Sequence, residues 1–328
     1  MRPMGVEPEL LAARSALERE GPAVVCIGGG HGLAQALKAV TRYAGRITAI
    51  VTVADDGGSS GRLAPALEIP PPGDIRKCLI ALTPDSSVWR RLFEYRFEGA
   101  DVEGHSLGNL IIASLSDLEG DFEAALRACE RLLGSVGSVV PCSPARLHLS
   151  ATIDGGDVDG QAAISRSRGS ISDLRLIPAD PPASSSAVAS IREADQIVLG
   201  PGSLYTSVLA PLLVPEIRDA VNESPARLVY VANLITQDGE TLGMDAADHL
   251  DAILSLAGIR PPGVIVANKG PISVDPPVEP VVVDPDVLAT YGVDVEFADL
   301  LDPTVKWPRH DHARLGGSLG RLISNDPD

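Results

Sequence analysis

Two stretches of this chain share one order of parts: a short apolar run, a glycine-rich loop, and then apolar residues at helical spacing. The first comprises residues 23–27, the loop 28–32 and the segment from Leu33 to Val40. The second comprises residues 195–199, the loop 200–203 and the segment from Leu204 onward. Short runs that are apolar throughout, rather than alternating, are typical of strands in a parallel sheet covered by helices on both faces. The chain is therefore predicted to build alternating strands and helices around a buried sheet.

Further apolar segments extend this pattern. Residues 46–53 form another continuous apolar strand, and 227–234 and 262–267 add two more. Four segments with apolar residues at i, i+3 and i+4 are predicted as helices: 74–83, 87–97, 106–118 and 122–133. Pro65 and the run from Pro70 to Pro72 predict an extended approach to the first of them. The predicted fold class is α/β, a three-layer, Rossmann-like and mostly parallel sheet.

A single domain is predicted over residues 23–315. Within it, residues 147–153 and 158–164 are short alternating segments on either side of an Asp-Gly-Gly-Asp turn, which predicts a small β-hairpin insertion at about 147–164. Residues 1–22 are predicted to form a mobile N-terminal extension, and residues 316–328 a C-terminal tail.

Composition excludes several classes of partner. Lys and Arg number 27 against 44 Asp and Glu, a net charge of −17, so the surface repels a nucleic-acid backbone. Aromatic residues make up only 3% of the chain, which leaves little for stacking on single-stranded bases. The apolar runs fall short of the ~18 residues of a membrane span, and residues 1–21 lack the apolar core of a signal peptide. We expect a cytoplasmic protein that binds no nucleic acid and has no membrane span.

The first glycine loop, Gly28 to Gly32, suits a phosphate. A loop between a strand and a helix exposes backbone N–H groups at the positive end of the helix dipole, and both effects favour an anion. Its spacing departs from the GxGxxG fingerprint of dinucleotide sites, because Leu33 follows Gly32 where a third small residue belongs. The loop therefore indicates phosphate more strongly than NAD, and a tight turn that binds nothing is the alternative.

Two adjacent carboxylates, Asp55 and Asp56, follow the strand at 46–53 and begin a run of small polar residues that ends at Arg62. This places them at the carboxyl edge of the sheet, where open α/β sheets bind ligands. Mg²⁺ would accept one or two carboxylates together with phosphate oxygens, and Asp74 is a further candidate. Alternatively, Asp55 holds a ribose hydroxyl, as in NAD sites, or the pair belongs to a solvated Asp-Gly turn.

The second loop, from Gly200 to Ser207, repeats this arrangement with hydroxyl groups added. Ser203, Thr206 and Ser207 offer hydrogen bonds to phosphate or sugar. Two such loops indicate a ligand with two recognised ends, which fits a nucleoside diphosphate sugar and also a dinucleotide. A helix start capped by Ser203 alone is the alternative.

Residues 104–108 match GxSxG, the nucleophile elbow of serine hydrolases, and Asp248 and His249 lie downstream. The acidic segment before Ser106 is not the apolar strand that an elbow requires. A helix start, with Ser106 and Asn109 facing the ligand, is therefore favoured over a hydrolase.

Two other patterns are predicted to carry no chemistry. The sequence His310-Asp311-His312 has no second cluster of metal ligands, which favours a solvated turn. The four cysteines include no CxxC pair and are predicted to be reduced core residues.

Six motifs occur in order along the chain: residues 26–32 (CIGGGHG), 50–62 (IVTVADDGGSSGR), 71–76 (PPGDIR), 104–109 (GHSLGN), 198–207 (VLGPGSLYTS) and 236–241 (TQDGET). With these motifs the chain resembles the YvcK family, described as gluconeogenesis factors, which belongs with the transferases similar to CofD. The resemblance covers about residues 23–315.

The resemblance implies a cytosolic bacterial protein that binds a UDP-sugar such as UDP-N-acetylglucosamine. It also implies a need for the protein in cell shape and wall synthesis on gluconeogenic carbon sources. A regulator is implied more than an enzyme; the alternatives are a CofD-like, Mg²⁺-dependent phospho- or nucleotidyl-type transferase and an NAD-binding protein. Family members suggest a homodimer, and a cell-wall regulatory protein is a candidate partner.

From the motifs and the resemblance together, the candidate nucleotide- and sugar-binding residues are Gly28, Gly29, Gly30, His31, Gly32, Asp55, Asp56, Ser59, Arg62, Asn109, Gly200, Gly202, Ser203, Tyr205 and Thr206. Asp56 and Asp74 resemble the metal-binding positions of the transferases. His31 stands where the family commonly has Thr, so a group that titrates near neutrality replaces a hydroxyl there.

Overall fold

The computed structural model describes residues 20–99 and 102–324. Most of the predicted N-terminal extension, residues 1–19, lies outside this part of the chain. The strands are β1 (Ala23–Gly28), β2 (Arg46–Val51), β3 (Ser138–Pro141), β4 (His148–Ile153), β5 (Gly156–Asp159), β6 (Ile171–Ile177), β7 (Gln196–Leu199), β8 (Arg227–Val231), β9 (Val264–Asn268) and β10 (Asp294–Ala298).

The helices are α1 (Gly30–Val40), α2 (Gly58–Leu67), α3 (Pro72–Ala81), α4 (Val88–Glu94), α5 (Leu107–Glu119), α6 (Phe122–Leu133), α7 (Gln161–Ile164), α8 (Ser185–Arg192), α9 (Ala210–Leu212), α10 (Pro215–Glu223), α11 (Ala246–Ala252), α12 (Pro285–Ala289) and α13 (His312–Ser324). A π-helical turn, Leu204–Leu209, leads into α9, and another, Ile253–Ala257, follows α11. The four helices predicted in the first half correspond to α3, α4, α5 and α6.

Seven strands form one sheet in the order β10-β9-β8-β7-β1-β2-β3, and every pairing in it is parallel. All four residues of β7 and the last five of β1 are buried. Strands buried on both faces have no solvated side to alternate with, which explains their continuous apolar sequence. The predicted α/β fold with a mostly parallel sheet is confirmed.

Strand order reverses beside β1. The chain lays down β1, β2 and β3 in one direction, then places β7 on the other side of β1 and continues outward to β10. At such a switch point, the loops that leave the two neighbouring strands border a crevice at the carboxyl edge of the sheet. The loops after β1 and β7 are the two glycine loops of the sequence.

Helix α1 connects β1 to β2 and packs against α3 and α13. Leu33, Leu37 and Val40, spaced at four and three residues, are fully buried. Each buried side chain of this size contributes about 1.5–3 kcal/mol. This packing fixes the N-terminus of α1 beside the crevice.

The insertion is larger than the sequence predicts. β4 and β5 form the predicted hairpin, but β5 ends at Asp159 and residues 161–164 are helical. Gly160, at φ +94°, ends the strand, and Ile164 is buried by one helical turn instead of by a strand. β6 pairs antiparallel with β4 and completes a separate three-stranded sheet, β5-β4-β6.

Residues 58–67 form α2 where an extended approach was predicted, and Pro65 lies inside this helix. A proline lacks the N–H that would bond the carbonyl four residues earlier, here Gly61. The helix ends two residues later, at Leu67, and Glu68 then takes a left-handed φ of 54°. The proline therefore shortens α2 without preventing it.

Helix α13 runs past residue 315, the predicted end of the domain. Leu315, Leu319 and Leu322 are buried on one face of it, and the helix packs against α1. A Cβ on Gly316 would lie 2.4 Å from the carbonyl oxygen of Ala39, so the absence of a side chain permits this contact. Residues 316–324 thus belong to the packed structure.

The segment 310–312 is only in part a solvated turn. His312 is exposed, but His310 is 6% exposed, and burial lowers its pKa to about 4. Asp311 accepts the backbone N–H groups of Ala313 and Arg314 at 2.8 and 3.0 Å and so caps α13.

All four cysteines are free and buried, as predicted. Burial raises the pKa of Cys129 and of Cys142 to about 12, so these groups remain thiols at neutral pH. Within residues 20–99 and 102–324, no helix combines the length and apolar character needed to cross a membrane.

Candidate functional site

The two glycine loops touch at the switch point. A Cβ on Gly32 would lie 2.1 Å from the carbonyl oxygen of Pro201, so only glycine fits there. A Cβ on Gly202 would lie 3.7 Å from the carbonyl oxygen of Gly29. The loops that the sequence analysis identified separately therefore form one continuous surface.

The first loop leaves backbone donors free. Gly29 is the N-cap of α1, and no side chain caps this end. Gly30 has φ +63°, a conformation that glycine adopts without strain. In the described chain, the N–H groups of Gly30, His31 and Gly32 have no acceptor, because the first turn of a helix has none to offer. These donors, at the positive end of α1, suit a phosphate oxygen.

The neighbouring helix α2, which follows β2, also lacks a side-chain cap at Gly57. Five other helices, α5, α6, α8, α11 and α12, are capped by the side chains of Ser106, Asp121, Ser184, Asp245 and Asp284. A cap satisfies donors that a helix start otherwise leaves to solvent or ligand. Two uncapped helix starts on adjacent strands concentrate such donors at this part of the edge.

Three carboxylates lie beside these helix starts, each with a different partner. Asp55 accepts the N–H of Gly57 at 3.0 Å; burial, and after it the charge of Asp74, raises its pKa. Asp74 is 4% exposed and forms a 2.8 Å ion pair with Lys77. Asp56 instead accepts the N–H of Ala162 at 2.9 Å, which ties α7 of the insertion to this loop.

The carboxylates that interact are therefore Asp55 and Asp74, whereas the sequence analysis assigned a metal to Asp56 and Asp74. Among the residues that the structure describes, no group of three or more His, Cys, Asp or Glu side chains is arranged to hold a metal ion. Mg²⁺ is commonly bound by one or two carboxylates plus substrate phosphates. Asp55 and Asp74 are the two carboxylates here that could contribute to such a set, with phosphate oxygens supplying the other ligands.

A chain of buried hydrogen bonds links α3, α5 and α2. Nε of Arg76 donates to Oδ1 of Asn109 at 3.0 Å, and Nδ2 of Asn109 donates to Oγ of Ser59 at 3.0 Å. Oγ of Ser59 lies 3.0 Å from Nδ1 of His105. None of the four residues is more than 9% exposed. Ser59 and Asn109 were predicted as ligand residues; Arg76 and His105 were not, although both lie within the motifs.

Several polar groups of the second loop have partners within the protein, although the Ser203 side chain does not cap the helix start, as one alternative had it. The Asn233 side chain accepts the N–H of Gly202 at 3.1 Å and donates to the Gly202 carbonyl at 2.9 Å. Oγ of Ser203 accepts from Nε2 of Gln237 at 3.0 Å. Gly202 and the Ser203 hydroxyl, both predicted to bind the ligand, are thus engaged in internal hydrogen bonds.

Glu240 holds the π-helical turn that follows. Its carboxylate accepts from the N–H of Tyr205 at 3.2 Å and from the hydroxyls of Thr206 and Ser165 at 2.7 and 2.9 Å. Burial raises the pKa of Glu240 although these hydrogen bonds oppose the shift. Tyr205 and Thr206 are 5% and 1% exposed. Two residues predicted to bind sugar are thus buried around Glu240.

Sequence reasoning missed Asn233, Gln237 and Glu240. The motif at 236–241 contains the last two and was the available signal, but local sequence gives no reason for a carboxylate there. The Glu240 carboxylate accepts a hydrogen bond from the hydroxyl of Thr206, 34 residues earlier, which local sequence cannot predict.

The two remaining candidates lie at the surface. His31 is exposed on the first turn of α1; desolvation, and after it the positive charge of Lys77, lowers its pKa. Arg62 is exposed on α2 and donates to the carbonyl of Glu103 at 2.8 Å.

A cavity of about 270 Å³ adjoins the second loop at the carboxyl ends of β8 and β9. Asn233 and Asn268 supply amide groups to its wall, and Ile272 and Val281 supply apolar surface. Apolar walls with a few polar groups are typical of ligand sites.

The GxSxG segment forms a helix start, as predicted. Ser106 is the N-cap of α5, and its Oγ accepts the N–H of Asn109 at 3.3 Å. His249 is fully buried, with Nδ1 3.1 Å from the Tyr230 hydroxyl. In the described part of the chain no hydrogen bond joins Ser106 to a histidine, so the elbow arrangement is not formed.

These features define a Rossmann-like α/β protein whose glycine loops meet at the switch point of a seven-stranded parallel sheet. A family model described as 2-phospho-L-lactate transferase CofD matches residues 24–301. The chain belongs to the CofD family.

Similar proteins carry a consistent name. The gluconeogenesis factor of Halalkalibacterium halodurans is 43% identical, over 82% of this chain and 87% of that protein. The gluconeogenesis factor of Bacillus subtilis is 39% identical, over 92% and 98%. A crystal structure of a UPF0052 family member from Bacillus halodurans matches with a TM-score of 0.87 and 39% identity, covering 94% of this chain and all of that one. The resemblance inferred from the motifs is confirmed.

Proposed function

We propose that this protein binds a nucleoside diphosphate sugar, such as UDP-N-acetylglucosamine, in the crevice between the glycine loops. We propose further that it acts as a regulator of cell shape and wall synthesis during growth on gluconeogenic carbon, without turning the ligand over. The observation that carries the binding proposal is the set of free N–H groups at Gly30, His31 and Gly32, next to the uncapped start of α2. The relatives named gluconeogenesis factor support the physiological setting.

The two sides of the crevice take different ends of this ligand. The diphosphate lies at the starts of α1 and α2, where backbone donors and helix dipoles offset its charge. The protein has a net charge of −17, and the nearby cation Lys77 is already paired with Asp74. The backbone donors and helix dipoles therefore have to offset the charge of the diphosphate. The nucleoside or sugar extends past Gly202 toward the cavity at β8 and β9.

A Mg²⁺-dependent transferase is the second candidate, and the Asp55 and Asp74 pair favours it, together with the family match. A bound Mg²⁺ would offset negative charge on a transferred phosphoryl group. Asp55 and Asp74 would hold the ion, and Lys77 would release the Asp74 carboxylate to it.

Thermal unfolding with UDP-N-acetylglucosamine, UDP-glucose, GDP, GTP and NAD, each with and without Mg²⁺, separates these functions. A ligand at 100 times its dissociation constant stabilises a protein by about 2.7 kcal/mol. Stabilisation by the UDP-sugars, with unchanged ligand recovered afterwards, supports the regulator. Consumption of ligand that requires Mg²⁺ and stops in Asp55→Asn supports the transferase, and a response to NAD alone contradicts both.

A further inference from the structure

The hydrogen bonds from Arg76 to His105 run in one direction only. Nε of Arg76 carries a hydrogen and accepts nothing, so the Asn109 atom that faces it at 3.0 Å is the carbonyl oxygen. The amide nitrogen of Asn109 must then face Ser59. Since that nitrogen only donates, Oγ of Ser59 is its acceptor.

The position of the His105 proton follows. Oγ of Ser59 accepts from Asn109, and among the described residues its only other hydrogen-bond partner is Nδ1 of His105, 3.0 Å away, so we place the hydroxyl hydrogen on that bond. Nδ1 is therefore the unprotonated nitrogen, and the neutral ring carries its proton on Nε2. Burial and the positive charges of Arg62 and Arg96 lower the pKa of His105, which keeps the ring neutral at pH 7.

Nε2 of His105 is a donor without a protein partner. No residue in the described chain accepts from it, and it is not among the side-chain atoms sealed from solvent without a partner, which are in Ser150, Gln237, His249 and His310. Its ring is anchored to Ser59, which lies in the first turn of α2. The free donor therefore lies close to the uncapped start of α2.

We infer that His105 is a ligand-binding residue that donates from Nε2–H to an oxygen of the bound ligand, and that Arg76, Asn109 and Ser59 are positioning residues that fix this tautomer. The identity of the ligand rests on the proposed function. The other tautomer would present a lone pair to an anionic oxygen and repel it. The guanidinium of Arg76, at the other end of this series of hydrogen bonds, thus favours the Nε2-protonated tautomer of His105, which can donate to an anion.

The substitution Asn109→Asp should reverse the direction of donation along this series of hydrogen bonds, with almost no change in side-chain size. The introduced carboxylate still accepts from Arg76 but has no hydrogen to donate, so Ser59 turns its hydroxyl toward it. His105 must then donate from Nδ1 to Ser59, which leaves Nε2 as an acceptor. We expect ¹⁵N spectra of the ring to show protonation at Nε2 in the wild type and at Nδ1 in Asn109→Asp, with at least a tenfold loss of affinity for UDP-N-acetylglucosamine.

A matched pair of substitutions tests the contact itself. The amide of glutamine reaches the position of Nε2, whereas the shorter amide of asparagine reaches only that of Nδ1. His105→Gln should hold affinity within threefold of the wild type, and His105→Asn should lose at least tenfold, with both unfolding at temperatures close to that of the wild type.

Protonation at Nδ1 in the wild type overturns the inference, as does an Asn109→Asp variant that binds as the wild type does. Equal affinity of His105→Gln and His105→Asn overturns the ligand contact. If the wild type binds no UDP-sugar, the proposed function fails and the contact fails with it. The spectrum of the ligand-free protein decides the proton position independently.

Discussion

The two sides of the crevice carry similar sequences and differ in what their polar groups do. Around the first loop, the N–H groups of Gly30 to Gly32 have no acceptor within the described residues. Around the second loop, Gly202 and Ser203 are engaged by Asn233 and Gln237. A Gly-rich strand-to-helix turn therefore indicates a close approach of the backbone, and the structure shows which of its N–H groups already have an acceptor within the protein.

On this comparison, we expect the first side to bind the anionic end of the proposed ligand and the second side to act as a scaffold that shapes the crevice. Glu240 is the centre of that scaffold, because it joins the turn after β7 to Ser165 of the insertion. Substitutions on the second side should lower stability more than affinity, and those on the first side the reverse.

The largest effect is expected where the two sides meet. Gly32→Ala would place a Cβ 2.1 Å from the Pro201 carbonyl oxygen, and we expect it to lower the free energy of unfolding by at least about 3 kcal/mol. Gly317→Ala is the control: its Cβ would meet only Nη1 of Arg321 at 3.9 Å, and alanine should stabilise the helix by about 0.5–1 kcal/mol. Urea unfolding measures both; equal effects would show that the loops do not touch.

Glu240→Ala should cost about 2–3 kcal/mol of stability, because Thr206, Ser165 and the N–H of Tyr205 lose their acceptor. Glu240→Gln keeps one acceptor oxygen and should cost less. If either variant loses affinity for UDP-sugar while keeping its stability, Glu240 belongs to the binding side.

The pH dependence of this pair follows from the raised pKa of Glu240. The folded state keeps the proton at pH values where the unfolded chain has lost it. The resulting stability is complete below the ordinary value of 4.5 and is lost as pH rises through the folded pKa. The free energy of unfolding of the wild type should therefore fall relative to Glu240→Gln as pH rises above 4.5, and a constant difference would contradict the assignment.

His31→Pro removes one free N–H from the first loop at a helix position that tolerates proline. We expect a loss of about 2 kcal/mol in binding, or roughly thirtyfold, as for a hydrogen bond to a charged group. His31→Ala keeps the backbone donor and should bind within about threefold of the wild type. Isothermal titration of UDP-N-acetylglucosamine compares them, and equal weakening would assign the effect to the imidazole.

The smallest effect is expected at Tyr205. Among the described residues, the one hydrogen-bond partner of its hydroxyl is Sδ of Met244, at 3.7 Å. Tyr205→Phe should change stability by less than about 0.5 kcal/mol and leave affinity unchanged. A clear loss of affinity would restore Tyr205 to the ligand, as the motif resemblance places it.

What the sequence predicts well is local. The apolar runs and the glycine loops identify β1, α1 and β7, and their burial follows from the pattern. What it does not predict are partners far away in the chain. The Asp56 carboxylate accepts the N–H of Ala162, 106 residues later, and Arg76 donates to Asn109, 33 residues away; local sequence predicts neither contact.

The insertion shows the same limit in its backbone. The turn at 154–157 predicts the hairpin of β4 and β5. The third strand, β6, pairs with the backbone groups on the other edge of β4, and the turn sequence gives no sign of that pairing. Residues 158–164 alternate like a strand, yet Gly160 and the burial of Ile164 favour a helical turn.

The central claim is that the anionic ligand binds at the first loop and not at the second. Backbone ¹H–¹⁵N spectra recorded while UDP-N-acetylglucosamine is added test it directly, because an N–H that gains a phosphate acceptor shifts strongly. We predict large shifts for Gly30, His31 and Gly32 and little change for Gly202, whose N–H stays bonded to Asn233. The largest shift at Gly202, with Gly30 to Gly32 unmoved, would contradict the account.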